Sequence, residues 1–266
     1  MNSQEDETFT PTSEIILTSR KGGPAPHCVI PLHSEGAPQK TDQLIVSIGP
    51  RFSQEDSALQ IKDLTCGRAG ISLFQNLTYA IYPKEIIHIK GKNGCGKTTL
   101  LEALAGLLSP QDGSIIFQKK PLTCESFIYI SVSIGFKKEL SVLENLLFWA
   151  GISQTPCHLI QETLSLFQLD TLQDQLFGHL SSGGRQRLNL CRLFLSPKPL
   201  WLLDEPFVSL DATFSHLLEV CIKAHTQTGG MVILTTHTPS NLPMRTLYLE
   251  DFAPRMDPME EKLYAI

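Results

Sequence analysis

The 266-residue sequence has no uninterrupted apolar run close to the roughly 20 residues that a helix needs to cross a bilayer. Its first stretch carries four acidic side chains before Arg20, so it lacks the basic start of a secretory signal and the low acid content of a transit peptide. A net charge of −5 argues against an extended nucleic-acid surface. We therefore expect a soluble protein that meets a membrane only through a partner.

Paired cysteines are missing as well. The chain has seven cysteines, an odd number, scattered without any C-x-x-C spacing. Such a set disfavours a disulfide or zinc framework and favours a reducing compartment, in which cysteines serve as small core residues.

The composition changes near residue 58. Residues 1–57 are rich in Ser, Thr, Pro, Gly and Gln and contain only short apolar runs. This composition predicts a disordered extension, with an added edge strand as the alternative. Apolar and polar residues then alternate over 59–64 and 71–81, which predicts two antiparallel strands. We place the folded domain at 58–250 and a C-terminal tail at 251–266.

The densest motif is GKNGCGKTT, which fits the pattern G-x-x-x-x-G-K-[ST]. It follows a predicted buried strand and precedes a helical pattern that starts at Thr99, which is the context that the motif requires. Glycines let backbone N–H groups approach phosphate oxygens, and the helix N-terminus adds partial positive charge. We predict that Lys97 reaches the β- and γ-phosphates of ATP and that Thr98 offers its hydroxyl to Mg²⁺. The loop residues predicted to bind the nucleotide are Gly91, Asn93, Gly94, Cys95, Gly96, Lys97, Thr98 and Thr99.

Two adjacent carboxylates, Asp204 and Glu205, end the continuous apolar run Leu200–Leu203. A run that is apolar at every position predicts a strand covered on both faces. Carboxylates at the tip of such a strand are costly unless they meet a cation or take part in chemistry. We therefore assign Asp204 to Mg²⁺, and Glu205 to the attacking water as its orienting group or base.

Other residues carry weaker signals. His237 follows an apolar strand pattern, at the end where α/β sheets bind ligands, and is predicted to contact the γ-phosphate. Arg68 lies in a turn-prone stretch, where its guanidinium is either a stacking partner for adenine or a solvated turn residue. Phe148 and Trp149 follow a capping box that starts at Ser141, and they are either core residues or part of a partner-binding face.

Five elements stand in one order, GKNGCGKT, LSSGG, LWLLDEP, SLD and TTH. This order resembles that of the ATP-binding subunits of ABC transporters. The resemblance implies an α/β P-loop NTPase of the ABC ATPase type, with a mainly parallel sheet core, an antiparallel β subdomain and a helical subdomain at about 134–190. It implies a head-to-tail dimer in which Ser181 and Gly183 contact the γ-phosphate held by the other copy, and Asp211 lies in the loop at the dimer seam. It also implies that His237 is the switch histidine and that Arg68 faces adenine.

A narrower resemblance, to the CcmA family, is carried by the stretch from Cys66 to Leu77 and by the run from Gly135 to Leu146. CcmA is the small ATPase of cytochrome c maturation, historically called the heme exporter. The resemblance implies a peripheral subunit on the cytoplasmic side of the inner membrane, in a complex with CcmB and CcmC that releases a heme-loaded chaperone. The sequence itself shows no heme site and no C-x-x-C-H attachment motif.

The sequence departs from the family pattern at two positions around the site. Ser133 stands where ABC domains usually have a glutamine that senses Mg²⁺ and couples to the membrane subunit, and a serine is too short to reach the same ion or water directly. Gly184 stands where the signature usually has a glutamine. Two alternatives to a cytochrome c maturation ATPase stay open, and these two departures bear on the second of them. One is the ATPase subunit of another ABC exporter, and the other is a weakly hydrolysing, ATP-binding regulatory subunit.

Overall fold

The structure is a computed structural model. It describes residues 58–131 and 135–254, together with the backbone of three short strands nearer the N-terminus. These strands are β1 (Leu17–Thr18), β2 (His27–Pro31) and β3 (Gln43–Ser47), which form an antiparallel sheet in that order. The rest of 1–57, residues 255–266 of the predicted tail and Ser133 lie outside the described residues. The predictions of a disordered extension and of the domain limits therefore stay predictions.

Strands that precede and follow the phosphate loop in the sequence form an antiparallel sheet. It consists of β4 (Leu59–Arg68), β5 (Ile71–Ile81), β7 (Asp112–Phe117) and β8 (Lys120–Pro121), in the order β5-β4-β7-β8. The first two strands pair from Arg68 opposite Ile71 to Leu59 opposite Ile81. This pairing confirms the antiparallel strands that the alternating pattern predicts ahead of the loop.

The central sheet is parallel. Its strands are β6 (Ile86–Lys90), β9 (Phe127–Ile130), β10 (Leu200–Asp204), β11 (Met231–Thr235) and β12 (Arg245–Tyr248), in the order β12-β6-β11-β10-β9. Parallel strands end at the same edge of a sheet, and ligands bind at that edge. The segments that follow β6, β10 and β11 carry the phosphate loop, Glu205 and His237, so the sheet topology gathers these motifs.

Side chains of β10 alternate between two hydrophobic cores. Trp201 and Leu203 belong to one core, which includes helix residues from the 142–224 region. Leu200 and Leu202 belong to the other, which includes residues of the antiparallel sheet. Each fully buried side chain of this size contributes about 1.5–3 kcal/mol through removal of apolar surface from water. The continuous apolar run therefore forms, as predicted, a strand covered on both faces, and this strand ends at Asp204.

The described residues form α1 (Lys97–Leu104), α2 (Val142–Ser153), α3 (Cys157–Leu166), α4 (Ser182–Leu195) and α5 (Ala212–Gln227), and short 3-10 turns at Asp170–Leu172, Phe177–His179 and Leu249–Phe252. The capping box before α2 is confirmed. Glu144 N donates to Ser141 Oγ at 3.1 Å, and Ser141 N donates to Glu144 Oε2 at 2.7 Å. Helices α2, α3 and α4 pack against one another. Within the described ranges, no helix is both long enough and apolar enough to cross a membrane.

Candidate active site

The phosphate loop joins β6 to α1, and two of its glycines are required by the local geometry. Gly96 has a φ of +106°, and a Cβ there would approach Leu73 Cβ to 3.1 Å. A Cβ on Gly91 would lie 2.5 Å from Cys95 Sγ. Both positions therefore need a residue without a side chain. Helix α1 begins at Lys97, two residues before the predicted start, because Gly96 turns the chain directly into the helix.

The start of α1 leaves its backbone N–H groups available to a ligand. Among the described residues, no side chain caps this helix, and no acidic residue lies in its first turn. The first N–H groups of a helix have no partner within it and carry a partial positive charge. Lys97 Nζ donates to the carbonyl oxygens of Gly91 at 2.8 Å and Lys92 at 3.1 Å, which keeps the ammonium group against the loop. A cation beside a helix N-terminus is an arrangement that fits a phosphate group.

Asp204 accepts one hydroxyl on each carboxylate oxygen. Thr98 Oγ1 donates to Oδ2 at 2.8 Å, and Thr235 Oγ1 donates to Oδ1 at 2.6 Å. Asp204 ends β10 and is 7% exposed. Hydroxyl and carboxylate oxygens are ligands that Mg²⁺ prefers in proteins. The structure thus brings together the two residues predicted to hold Mg²⁺, and their oxygen donors fit this ion.

Thr235 lies in the TTH motif but is not among the residues that the sequence patterns single out. The sheet register places it directly opposite Asp204. Its hydroxyl also accepts a hydrogen bond from the backbone N–H of Glu205 at 2.9 Å. Glu205 has a φ of +50°, which is uncommon for a residue other than glycine. Thr235 therefore holds both acidic residues in place. The sequence signal for this role is its position at the end of a buried strand, two residues before His237.

Glu205 and His237 contact each other. The backbone N–H of His237 donates to Glu205 Oε2 at 3.2 Å, and His237 Nε2 lies 3.5 Å from Glu205 Oε1. The Glu205 side chain is 18% exposed, whereas that of His237 is 65% exposed. The sheltered carboxylate suits proton transfer from water, and the open imidazole suits contact with a ligand from the solvent side.

A cavity of about 530 Å³ borders the phosphate loop and includes a histidine that the sequence analysis missed. His88 is 7% exposed, and its Nε2 lies 3.1 Å from the carbonyl oxygen of Thr236. Burial lowers the pKa of His88; the bond to Thr236 opposes this shift, and the charges of Lys90, His237 and Lys97 add to it. The ring is therefore neutral at pH 7, with Nε2–H as the donor. A histidine between the isoleucines of β6 is the signal for its position.

Arg68, predicted to face adenine, has its guanidinium against α1. Nε donates to Thr99 Oγ1 at 3.2 Å, and Nη2 pairs with the Glu102 carboxylate. On β4, Arg68 lies opposite Ile71, whose apolar side chain is 69% exposed. The guanidinium therefore ties the antiparallel sheet to the first turns of α1, and its contact with adenine stays a prediction.

The residues predicted to serve a second copy form a separate group. Ser181 caps α4, where its hydroxyl accepts the N–H of Gly184 at 3.1 Å. A Cβ on Gly183 would lie 3.0 Å from the carbonyl oxygen of Ser209, and Asp211 Oδ1 caps α5 by accepting the N–H of Phe214 at 2.9 Å. In the described part of the chain, no hydrogen bond or ion pair joins Ser181, Gly183 or Asp211 to the phosphate loop.

A glycine is not sterically required at position 184. A Cβ at this position would lie 3.4 Å from Ser181 Oγ and 3.5 Å from Leu180 Cβ, which are ordinary contact distances. The structure therefore has room for a Cβ at this position. The other departure from the family pattern, Ser133, lies outside the described residues.

Comparison with known proteins places this geometry in a family. The model of the ABC transporter family matches residues 74–208. The cytochrome c biogenesis ATP-binding export protein CcmA of Vibrio cholerae is 38% identical over 187 residues, which cover 67% of this chain and 90% of that relative. CcmA of Bartonella henselae is 34% identical over 203 residues, or 75% of this chain and 98% of that relative. A solved ABC transporter ATP-binding protein from Pyrococcus furiosus has the same fold, with a TM-score of 0.65 at 24% identity, covering 74% of this chain and 100% of that one.

Proposed function

Because the chain belongs to the ABC transporter family, we propose that it is the ATP-binding and ATP-hydrolysing subunit of a membrane complex for cytochrome c maturation. The observation that carries the proposal is the meeting of Lys97, the Thr98–Asp204 pair and the Glu205–His237 pair at one edge of the parallel sheet. The names of the relatives from V. cholerae and B. henselae support the choice of process. The similarity covers nearly the whole length of both relatives.

The proposed reaction converts ATP and water into ADP and phosphate. Backbone N–H groups of the loop and Lys97 bind the β- and γ-phosphates. Thr98 and Asp204 hold Mg²⁺, which when bound supplies positive charge next to the phosphate oxygens. Glu205 orients the attacking water and accepts its proton, and His237 donates to the γ-phosphate from the solvent side. Because the protein groups are already positioned, little reorganisation is needed when charge develops.

Each chain supplies half of a complete site in this proposal. Two copies associate head to tail, so that the phosphate loop of one faces Ser181 and Gly183 of the other, with Asp211 at the seam. The group formed by these three residues supports this arrangement, since the starts of α4 and α5 lie beside each other, with Gly183 close to the carbonyl oxygen of Ser209.

We propose a CcmB-like integral membrane protein as the direct partner and a CcmC-like protein as a further member of the complex. This choice rests on the resemblance to the CcmA family, and the names of the relatives support the process, cytochrome c biogenesis. The proposed location is the cytoplasmic side of the inner membrane, where the subunit is peripheral.

Co-expression with the CcmB-like protein should give a stable complex in detergent. Assembly with the membrane subunit of another ABC exporter in its place contradicts the cytochrome c assignment and supports the first alternative.

The activity is tested by single-residue variants in the presence of the membrane partner. Glu205→Gln should lower the rate of phosphate release on the order of 10²-fold, because the carboxylate that accepts the water proton is lost. Lys97→Ala should abolish ATP binding measured by calorimetry, and retained affinity sinks the assignment of the phosphate loop.

A regulatory subunit that binds ATP and hydrolyses it weakly is the second candidate. The observation in its favour is Gly184, which offers no side chain where the family usually has a glutamine. If the wild type and Glu205→Gln both show equal and negligible ATP turnover with the membrane partner present, the chain is a regulatory subunit.

A further inference from the structure

Strand β6 carries one imidazole on a face that otherwise packs into an apolar core. Its isoleucines alternate between the two cores of the molecule: Ile86 belongs to the core that contains Trp201, and Ile87 and Ile89 belong to the other. His88 is buried and, because side chains of a strand alternate, it lies on the same face as Ile86. A buried polar side chain costs stability unless it is hydrogen-bonded, so packing alone favours an aliphatic residue at this position.

The hydrogen bond of His88 reaches just beyond the end of β11. The register places His88 opposite Leu234 of that strand, and its Nε2 lies 3.1 Å from the carbonyl oxygen of Thr236. A carbonyl oxygen only accepts, so Nε2 carries the proton and donates it. Strand β11 ends at Thr235. The bond from His88 therefore holds the peptide group between Thr236 and His237, which lies past the last residue of the strand.

The same peptide group contacts Glu205 on its other side. Its N–H belongs to His237 and donates to Glu205 Oε2 at 3.2 Å. A peptide group is planar, so its C=O and N–H keep a fixed relative direction and move together. Hydrogen bonds at the two ends of one amide also polarise and strengthen each other. The bond that fixes the carbonyl group of Thr236 therefore also fixes the N–H group that Glu205 accepts.

The position of the Glu205 carboxylate depends on this peptide group. Across the described ranges, both its hydrogen bond and its ionic contact are with His237, through the backbone N–H and through Nε2. The ring of His237 is largely exposed, so the backbone N–H is the better anchored of the two groups. A carboxylate that takes a proton from water must lie within hydrogen-bond distance of that water, and small displacements slow the reaction strongly.

We propose that His88 is a positioning residue for ATP hydrolysis: its Nε2–H holds the Thr236–His237 peptide group, and through this group it aligns the Glu205 carboxylate with the attacking water. The inference rests on the proposed function and adds a residue outside the motifs that predict the site. His88 lies on the strand that leads into the phosphate loop at Gly91. One strand therefore supports both the loop that binds the nucleotide and the carboxylate that orients the water.

The hydrogen bond is tested first without turnover, by NMR of the full chain labelled with ¹⁵N-histidine. The amide signal of His237 is assigned by its loss in His237→Gln. His88→Met removes the donor, so the amide proton of His237 should shift upfield as its hydrogen bond to Glu205 weakens. His88→Gln has nearly the same side-chain shape as His88→Met but keeps an N–H donor, so the signal should stay near its wild-type position. An unchanged signal in His88→Met, or an equal shift in both variants, overturns the proposal.

The amide signal of His216, at an exposed position of α5, is the internal control and should not move in either variant. Melting curves of both variants verify that they are folded.

Rates of ATP hydrolysis, measured with the membrane partner present, then test the effect on Glu205. His88→Met should lower kcat on the order of 10-fold and leave the Kd for Mg-ATP within about twofold of the wild type, because one hydrogen bond that aligns the carboxylate is lost and the phosphate loop is intact. His88→Gln should recover most of the rate. In the Glu205→Gln background, His88→Met should have little further effect, since it acts through Glu205.

Three results separate the alternatives. A raised Kd for Mg-ATP with unchanged kcat overturns the positioning role and makes His88 a direct contact of the ligand. An equal fall in rate with and without the Glu205 carboxylate also overturns it, because the fall then arises elsewhere. If the wild type binds Mg-ATP but shows no turnover, and His88→Met still shifts the His237 signal, the proposed hydrolysis fails and the link from His88 to Glu205 stands.

Discussion

At the scale of single residues, one hydroxyl connects the two acidic groups of the site. Thr235 Oγ1 donates to Asp204 and accepts from the N–H of Glu205. A hydroxyl performs both functions at once because it carries one O–H donor and two acceptor lone pairs. Valine has the same shape as threonine but can neither donate nor accept a hydrogen bond. Serine can still do both.

We predict that Thr235→Val raises the Mg²⁺ concentration needed for half-maximal ATPase activity about 10- to 100-fold, as expected when the partner of a metal ligand is lost. Thr235→Ser is the matched control and should stay close to the wild type. The measurement is a Mg²⁺ titration of phosphate release at saturating ATP. Equal Mg²⁺ dependence of the valine and serine variants contradicts a positioning role.

His225 makes stability depend on pH. It is 2% exposed and stacks on Trp201 with ring centres 3.9 Å apart. Burial lowers the pKa of His225 to about 3, although hydrogen bonds with the backbone of Pro199 and Met231 oppose the shift. In the unfolded chain a histidine takes up a proton below about pH 6.5. The stabilisation from a neutral His225 is therefore complete above that pH and is lost progressively as the pH falls towards 3.

We predict that the free energy of unfolding falls between pH 6 and pH 4 by up to about 1.4 kcal/mol per pH unit through this single group. His225→Phe should flatten the dependence by about that amount, whatever its effect on stability at pH 7. The measurement is urea unfolding at several pH values. His216→Gln, at an exposed position of the same helix, is the control, and an equal flattening there contradicts the assignment.

At the scale of elements, the 3-10 turn Leu249–Phe252 braces the phosphate loop. β12 runs parallel to β6 with Tyr248 opposite Lys90, so the residues that follow the two strands lie side by side. Glu250 Oε1 accepts the backbone N–H of Lys92 at 2.7 Å. Hydrogen bonds to charged groups are stronger than those between neutral groups, so this contact restrains the start of the loop.

We predict that Glu250→Ala raises the Kd for Mg-ATP about 3- to 10-fold, because the loop loses a restraint and must be ordered by the nucleotide. Glu250→Gln keeps an acceptor oxygen and should bind nearly as well as the wild type. Asp251→Ala, at the exposed neighbouring position, controls for loss of a negative charge near the loop. Calorimetric titration of each variant with Mg-ATP separates these cases. If Asp251→Ala also binds Mg-ATP weakly, the effect of Glu250→Ala comes from the lost charge and not from the lost hydrogen bond.

At the scale of the whole molecule, the predicted site residues fall into two groups. The phosphate loop and the Asp204–Glu205 pair lie at the edge of the parallel sheet, whereas Ser181, Gly183 and Asp211 gather around the starts of α4 and α5. The proposed head-to-tail dimer would bring the two groups together by symmetry and complete two sites at once.

We predict that Glu205→Gln with Mg-ATP forms a dimer by light scattering, because bound ATP connects the two chains and is not hydrolysed. Adding Gly183→Asp should return this variant to a monomer, since the new carboxylate repels the γ-phosphate of the facing site. ATP binding by the double variant in calorimetry verifies that its own phosphate loop is intact. If the double variant still forms a dimer, Gly183 does not lie at the dimer interface.

Much of the fold and of the site's chemistry follows from short stretches of sequence. The phosphate loop is recognisable because its function needs adjacent backbone N–H groups and one lysine, all within nine residues from Gly91 to Thr99. The continuous apolar run before Asp204 predicts a strand buried on both faces, and the two cores around Trp201 and Leu202 confirm it. The narrower family assignment likewise depends on contiguous runs of residues.

Contacts between distant residues were decided only by the tertiary structure. The sequence alone determined that a nucleotide loop, a carboxylate pair and a strand-end histidine are present, because each is a local pattern. The register of β10 against β11 decided that Thr235 holds Asp204, and the register of β12 against β6 decided that Glu250 reaches the loop. The approach of α1 to β4 decided where the Arg68 guanidinium lies. These pairings depend on how strands and helices pack across long separations in the chain, and no spacing in the sequence encodes them.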